Sequence, residues 1–201
     1  IDYICKSSGR LAKGLMGKAI QADYFISANK SWMDKLVSAG LVERTQVWVP
    51  WGNRLVVAGP RAGGVTVKNL MSLTSSDIHT ILIGDPSTAP FGRYAKKALV
   101  QSGLWKQLRP KIATRKHISM LADDLSNAEP GTVGILFSTN LTEALRTLTD
   151  IPETLHQPIR YYAAPLNASG QAGQAAAFSD FLTGETVDHG MTKHGFLLIP
   201  R

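Results

Sequence analysis

One stretch, Thr80 to Leu99, restricts the fold of this chain more than any other. Thr80-Ile81-Leu82-Ile83 is an apolar, β-branched run that ends at Gly84-Asp85-Pro86, and a helical pattern of apolar residues begins at Gly92. The stretch therefore predicts a strand, a loop and a helix. The N–H groups at the start of a helix lack intrahelical partners, and the helix dipole there favours an anion. An ordinary strand-to-helix connection that contains two prolines is the alternative interpretation.

Strand-like and helix-like segments alternate along most of the chain, which predicts an α/β protein with a parallel sheet. In such sheets, ligands bind outside the carboxyl ends of the strands. The predicted strands are 1–4, 22–27, 55–58, 80–83, 111–113, 131–137 and 158–164. The predicted helices are 11–20, 31–37, 70–73, 93–102, 118–125, 141–145, 174–182 and 187–193. A loop is predicted at Gly63-Gly64.

The composition indicates an ordered globular protein and excludes several classes. The chain of 201 residues is 44% hydrophobic and can bury a sizeable core. Its net charge of +7 suits an anionic partner, but the basic residues are scattered, and this disfavours a nucleic-acid partner. No apolar run reaches the length of a membrane span, so no direct membrane insertion is expected, and the single Cys5 excludes an internal disulfide.

The sequence contains no P-loop, no G-x-G-x-x-G fingerprint, no nucleophile elbow and no H-E-x-x-H motif. Its five histidines do not have the spacing of metal ligands. Hydroxyl residues recur instead where strands give way to helices, at Ser7-Ser8, Ser87-Thr88 and Ser138-Thr139. Neutral donors of this kind suit an anion that is bound and released unchanged. The pattern favours a receptor over an enzyme acting on an anionic substrate, and it calls for no cofactor and no metal.

Several blocks of the sequence resemble, in the right order, the periplasmic molybdate-binding proteins of ABC importers. The blocks are Ala22–Met33, Gly84–Leu99, Gly134–Phe137 and Lys193–Phe196. The resemblance implies an α/β, two-lobed type II periplasmic binding protein fold, with lobes joined by crossing strands and a ligand cleft between them. It also implies a periplasmic receptor that captures a tetrahedral oxyanion, molybdate or tungstate, for the membrane permease of an ABC importer. The alternative is a ligand-sensing domain, or a drifted relative that binds another small anion or an organic ligand.

The same resemblance implies a division into lobes. Residues 1–54 with 161–201 would form one lobe and residues 55–160 the other, with Leu55–Val57 and Ile159–Tyr162 as the crossing strands. The family's first strand and helix, and a signal peptide, have no counterpart in this sequence. We therefore expect weakened oxyanion binding, or a replacement of that segment from elsewhere; the alternative is that the sequence is part of a longer protein that has the segment.

Matching the family's motifs residue by residue implies a set of anion ligands. The ligating serine falls on Ser8, with Ser7 as the neighbouring possibility. Two backbone amide donors fall on Phe91 and Ile118. We expect the cationic side chains of Arg93 and Lys96 to stay out of contact with the anion. Neutral donors in a fixed arrangement discriminate between oxyanions better than a flexible cation does.

Two positions depart from the family's pattern. The family's tyrosine hydroxyl falls on Phe137, which has none, and Ser138 or Thr139 is a candidate to replace it. The loss of one hydrogen-bond partner in a desolvated site costs about 1–3 kcal/mol. The missing hydroxyl at Phe137 is therefore expected to affect which oxyanion is preferred. Phe91 stands where the family prefers a small residue, and its ring has the size to narrow the cleft.

Overall fold

The computed structural model of the chain describes residues 1–62, 65–167 and 170–200, so the loop predicted at Gly63-Gly64 lies outside the described residues. The helices are α1 (Ser8–Met16), α2 (Lys30–Ser38), α3 (Pro90–Gln101), α4 (Trp105–Leu108), α5 (Ile118–Ser126), α6 (Ala172–Leu182) and α7 (Glu185–Lys193). The strands are β1 (Tyr24–Ser27), β2 (Trp48–Asn53), β3 (Leu55–Pro60), β4 (Thr80–Gly84), β5 (Ile112–Arg115), β6 (Thr132–Phe137), β7 (Leu145–Asp150), β8 (Ile159–Pro165) and β9 (Leu197–Leu198). Short 3-10 turns are formed by Arg44–Gln46, Leu70–Thr74, Arg109–Lys111, Ser138–Asn140 and Glu153–Leu155.

The chain forms two compact units. Unit 1 consists of Ile1–Gly52 and Ile159–Arg201, and unit 2 consists of Asn53–Pro158. The sequence places the division two residues later at both junctions. The two strands that the resemblance marked as crossing each belong to a single sheet: β3 lies in the sheet of unit 2 and β8 in that of unit 1.

Unit 2 contains a sheet in the strand order β5-β4-β6-β3-β7. Strand β4 pairs in parallel with β5 and with β6, whereas β3 runs antiparallel to both β6 and β7. The sheet is therefore mixed: the predicted parallel pairing is present among β5, β4 and β6, and the antiparallel pairing of β3 with β6 and β7 was not predicted. Ile81 and Ile83 of β4 are fully buried and Leu82 is nearly so, which is why this strand reads as a continuous apolar run rather than an alternating one.

Unit 1 contains a smaller sheet in the order β1-β8-β2-β9, in which β1 pairs antiparallel with β8 and β2 with β9. Helices α1 and α2 pack on this sheet through one apolar cluster. The buried residues of the cluster are Ala12, Leu15, Phe25, Met33, Leu36, Val42, Ala164 and Leu166. None of the helices in the described part of the chain has the length and apolar character needed to span a membrane.

Two predicted elements are wrong. Residues 1–4 form no strand, and Ile1 and Tyr3 are 85% and 73% exposed. A strand requires a ladder partner for its N–H and C=O groups, and the described pairing of β1 is with β8 alone. The helix predicted at 141–145 is absent: residues 141–144 form a loop and a turn, and strand β7 begins at Leu145 and pairs antiparallel with β3. The helical spacing of Leu141, Ala144 and Leu145 is outweighed by this ladder of long-range hydrogen bonds.

Candidate functional site

The N-terminus of α3 presents two backbone N–H groups without a partner. The helix begins at Pro90, which has no N–H, and the first backbone N–H to find an acceptor is that of Arg93, which donates to the Ala89 carbonyl at 3.1 Å. The N–H groups of Phe91 and Gly92 donate to no other residue in the described part of the chain. Unused donors of this kind, together with the positive end of the helix dipole, favour an anion.

The N-terminus of α5 presents a second set of free donors. Leu121 N–H donates to the His117 carbonyl at 3.2 Å, while the N–H groups of Ile118, Ser119 and Met120 have no acceptor among the described residues. Both helices follow neighbouring parallel strands, because β4 leads to α3 and β5 leads to α5. The two helix N-termini therefore lie at the same edge of the unit 2 sheet, the edge formed by the carboxyl ends of these strands.

Two glycines allow α3 to approach the end of β4. A Cβ atom added at Gly84 would lie 2.6 Å from the backbone nitrogen of Gly92, and one added at Gly92 would overlap the carbonyl of Gly84. Real Cβ atoms do not come so close to backbone atoms, so both positions require glycine. This contact fixes the start of α3, and with it the N–H groups of Phe91 and Gly92, against the end of the strand.

The structure brings three of the predicted residues together in one apolar cluster. The Phe91 side chain is 95% buried, and its ring lies against Gly84. Ile118 and Phe137 are half-buried and pack on the same cluster. The Phe91 ring is buried in the core of unit 2, and its effect on the width of the cleft stays a prediction. Phe137 contacts Tyr94 of α3 edge to face, with ring centroids 5.8 Å apart.

The loop that connects β4 to α3 is closed by Asp85. The Asp85 Oδ1 atom accepts hydrogen bonds from the Ser87 hydroxyl at 2.6 Å and from the Ser87 N–H at 2.9 Å. These two bonds hold the pKa of Asp85 below its ordinary value, and the nearby Lys116 ammonium lowers that pKa further. Since the Asp85 N–H also donates to the Arg115 carbonyl at 2.9 Å, this residue ties the ends of β4 and β5 together.

We predict that replacing Ser87 with alanine raises the pKa of Asp85 towards the ordinary value of an aspartate, because the bond to the hydroxyl is the largest cause of the shift. A carboxyl whose pKa is lowered on folding stabilises the fold above its unfolded pKa and loses that contribution as the pH falls through its folded pKa. The Asp85→Asn variant should therefore lose less stability than the parent on acidification below the ordinary aspartate pKa. A carbon-13 NMR titration of the Asp85 carboxyl group measures its pKa in the parent and in Ser87→Ala. An equal Asp85 pKa in the two proteins would contradict the prediction.

The Ser138 hydroxyl is already used within unit 2. It donates to Asn53 Oδ1 at 3.0 Å, and its backbone N–H donates to the Arg54 carbonyl at 2.9 Å. A hydroxyl group has a single proton to donate. Ser138 therefore holds the turn after β6 in place and is not a free donor. The neighbouring Thr139 Oγ1 accepts a hydrogen bond from Asn53 Nδ2 at 2.9 Å.

The remaining predicted ligands lie in unit 1, at the start of α1. Ser8 Oγ accepts a hydrogen bond from the Ala28 N–H at 3.1 Å, which joins the helix to the end of β1. Ser7 is the N-cap residue of α1, and its side chain makes no capping hydrogen bond. The Trp32 ring fills the space beside Gly9, since a Cβ added there would lie 2.9 Å from ring atoms. Of the two serines, Ser8 has the hydroxyl that is fixed in position.

The cationic side chains of α3 are directed elsewhere or exposed. The Lys96 ammonium lies 5.4 Å from the centroid of the Trp105 ring, and Arg93 is exposed. No group of three or more His, Cys, Asp or Glu residues that could hold a metal ion is found among the described residues. Two cavities of about 420 and 280 Å³ that share Val65, Pro130 and Gly131 lie at the opposite, amino edge of the unit 2 sheet.

Sequence reasoning missed two features of this site. Asn53 is the last residue of β2, and nothing in the local pattern indicates that it is buried and bonded to a turn 85 positions away. The close approach of Gly84 and Gly92 was also missed. Glycines at the end of a predicted strand and at the start of the next predicted helix were the available signal for it.

Comparison with known proteins gives consistent results. Residues 1–197 match the family model described as bacterial extracellular solute-binding protein. The chain is 30% identical over 199 residues to the molybdate-binding protein ModA of Escherichia coli, covering 96% of this chain and 76% of that protein. It is 26% identical over 195 residues to the protein of the same name from Haemophilus influenzae, covering 94% of this chain and 76% of the relative.

Solved structures show the same fold. The periplasmic molybdate-binding protein of Azotobacter vinelandii is similar with a TM-score of 0.70 at 18% identity, covering 96% of this chain and 85% of that one. The tungstate-binding protein TupA of Desulfovibrio alaskensis is similar with a TM-score of 0.65 at 13% identity, covering 100% of this chain and 87% of that one. Identities this low show the fold alone, and the predicted α/β periplasmic binding protein fold is confirmed.

Proposed function

Since this chain belongs to the family of bacterial extracellular solute-binding proteins, we propose that it binds a tetrahedral oxyanion, molybdate or tungstate, and presents it to the membrane permease of an ABC importer. The relatives that carry this function in their names motivate the ligand and the partner. The proposed location is the periplasm, or the outer face of the membrane. In this role the chain binds and releases the anion without chemistry and without a cofactor.

One observation supports the proposal most directly: two helix N-termini with unused N–H groups, those of α3 and α5, lie at one edge of the unit 2 sheet. The proposed donors there are the N–H groups of Phe91 and Ile118. Hydrogen bonds to charged groups contribute about 1.5–3 kcal/mol each, so both donors would favour binding of the anion.

Isothermal titration calorimetry of the purified chain with molybdate, tungstate, sulfate and phosphate tests the proposal. We expect the first two anions to bind more tightly than the last two. Heat of binding from none of the four anions would contradict the proposal. If none of the anions binds and native mass spectrometry shows a small organic molecule bound to the purified chain, the alternative is favoured, a relative that binds an organic ligand.

Ser8 is proposed as a further ligand, through the proton of its hydroxyl, for which the described residues provide no acceptor. Replacing it with alanine is expected to weaken molybdate binding by about 1–2 kcal/mol, within the cost of about 1–3 kcal/mol for removing one hydrogen-bond partner from a desolvated site. Ser7→Ala is the matched control, and its affinity should stay close to that of the parent because its side chain is not held in position. Calorimetric titration of both variants gives the comparison. If Ser7→Ala binds more weakly than Ser8→Ala, the assignment of the ligand is reversed.

The proposal that cations stay out of contact with the anion is tested in the same assay. Arg93→Ala and Lys96→Ala should retain the affinity of the parent at physiological salt. A loss of binding in Arg93→Ala with full binding in Ser8→Ala would show that the anion is bound by charge rather than by neutral donors.

A further inference from the structure

Asn53 is a fully buried polar residue whose amide group is surrounded by partners from its own unit. Its Oδ1 atom accepts hydrogen bonds from the Ser138 hydroxyl at 3.0 Å and from the Arg54 N–H at 2.9 Å. Its Nδ2 atom donates to Thr139 Oγ1 at 2.9 Å. A buried amide is costly unless it is bonded in this way, so the arrangement fixes one orientation of the side chain. Asn53 thereby links the start of unit 2 to the turn that follows β6.

These bonds have opposite consequences for the two hydroxyl groups of the turn. Ser138 gives its only proton to Asn53, so it cannot donate to a ligand. Thr139 instead accepts a proton from Asn53, and its own hydroxyl proton has no acceptor among the residues that the structure describes. Because one lone pair of Thr139 Oγ1 is occupied by Nδ2, the O–H bond must point away from Asn53. Thr139 is therefore an oriented donor, and it is half-buried.

Thr139 lies at the edge where the anion is proposed to bind. It follows Phe137, the last residue of β6, and β6 runs parallel to β4.

We propose, on the basis of the proposed oxyanion-binding function, that the Thr139 hydroxyl is an anion ligand in this protein and that Asn53 is the positioning residue that orients it. Asn53 acts through Thr139 and does not touch the anion. The polarity of one hydrogen bond, Asn53 Nδ2 to Thr139 Oγ1, decides whether the threonine proton is available.

The first test removes the hydroxyl without changing the shape of the side chain. Thr139→Val is expected to bind molybdate about tenfold more weakly than the parent, whereas Thr139→Ser keeps the hydroxyl and should bind within about threefold of it. Thr139→Ser is thus the matched control, because it retains the hydroxyl that Asn53 orients.

The second test reverses the bond. In Asn53→Asp the carboxylate has no N–H to donate, so Thr139 donates its hydroxyl proton to residue 53. That proton is then no longer available to the anion. Asn53→Asp should weaken molybdate binding by more than tenfold. Adding Asn53→Asp to Thr139→Val should weaken it less than adding Asn53→Asp to the parent does, since the proton has already been removed. A purely structural or purely electrostatic role of Asn53 would give the same loss in both backgrounds.

Thermal unfolding of each variant separates lost folding from lost ligation. The proposal is overturned if folded Thr139→Val binds molybdate as tightly as the parent, or if the effect of Asn53→Asp is the same with Thr139 and with valine at that position. Failure of the parent itself to bind any of the four oxyanions would instead refute the proposed function. The two failures are thus distinguished by the parent titration.

Discussion

Replacing Ile118 with proline is expected to weaken molybdate binding by about ten- to a hundredfold, because it removes one N–H donor to a charged ligand, a contribution of about 1.5–3 kcal/mol. A backbone donor cannot be deleted by an ordinary substitution, but proline has no N–H. The affinity of Ile118→Pro therefore shows whether the start of α5 contacts the anion.

The structure indicates that this substitution leaves the helix intact. Ile118 is the first residue of α5, where proline is favoured because the N–H has no intrahelical partner and the required φ is that of the ring. The preceding His117 has φ −121° and ψ 144°, the extended conformation that a residue before proline adopts. Helix formation and the rest of the fold should therefore be little affected.

The matched control is Ile118→Val, which trims the half-buried side chain and retains the N–H. Calorimetric titration should give this variant an affinity close to that of the parent, and circular dichroism should give both variants the parent's helix content. If Ile118→Pro is folded and binds molybdate as tightly as Ile118→Val, the amide of residue 118 is not a ligand.

Replacing Gly92 with alanine is expected to destabilise unit 2 by about 3 kcal/mol, the upper part of the usual range for overpacking. The added Cβ would overlap the carbonyl of Gly84, which belongs to the backbone of a buried strand and cannot rotate away as a side chain would. Substituting alanine for glycine also reduces the entropy of the unfolded chain, which favours folding by about 0.4–1 kcal/mol. The collision is the larger effect and decides the sign.

Gly190→Ala provides the control for the second prediction. Gly190 lies within α7, and a Cβ added there would meet nothing within 4 Å. That variant should be more stable than the parent by about 0.5–1 kcal/mol, the difference between glycine and alanine in a helix. Differential scanning calorimetry measures both changes. A Gly92→Ala variant that melts at or above the parent's temperature would contradict the close contact of β4 with α3.

The central part of the fold could be predicted from the sequence because its signals are local. The run from Thr80 to Ile83, the turn at Asp85 and the helical spacing after Gly92 each depend on neighbouring residues, and strand β4 and helix α3 are confirmed. Helix α5 was predicted from Ile118 for the same reason. The resemblance to molybdate-binding proteins supplied the fold and the candidate anion donors.

Other features could not be predicted because they depend on partners far along the chain. Leu141, Ala144 and Leu145 have a helical spacing, and only pairing with β3 makes residues 145–150 a strand. Residues 1–4 have the composition of a strand, but a strand forms only where another offers its N–H and C=O groups. The sequence could not locate the Phe91 ring either, since its burial depends on the close approach of α3 to Gly84.

By itself, the sequence determined the order of most helices and strands, the α/β class and the positions of hydroxyl residues and glycines at the ends of strands. These follow from periodicity and turn chemistry, which act over a few residues. The tertiary structure alone decided which of these hydroxyls has a proton to donate. Asn53 uses the proton of Ser138 and leaves that of Thr139 unused, through hydrogen bonds that join residues 85 and 86 positions apart. The direction of a hydrogen bond is a property of the packed partners, and no local pattern contains it.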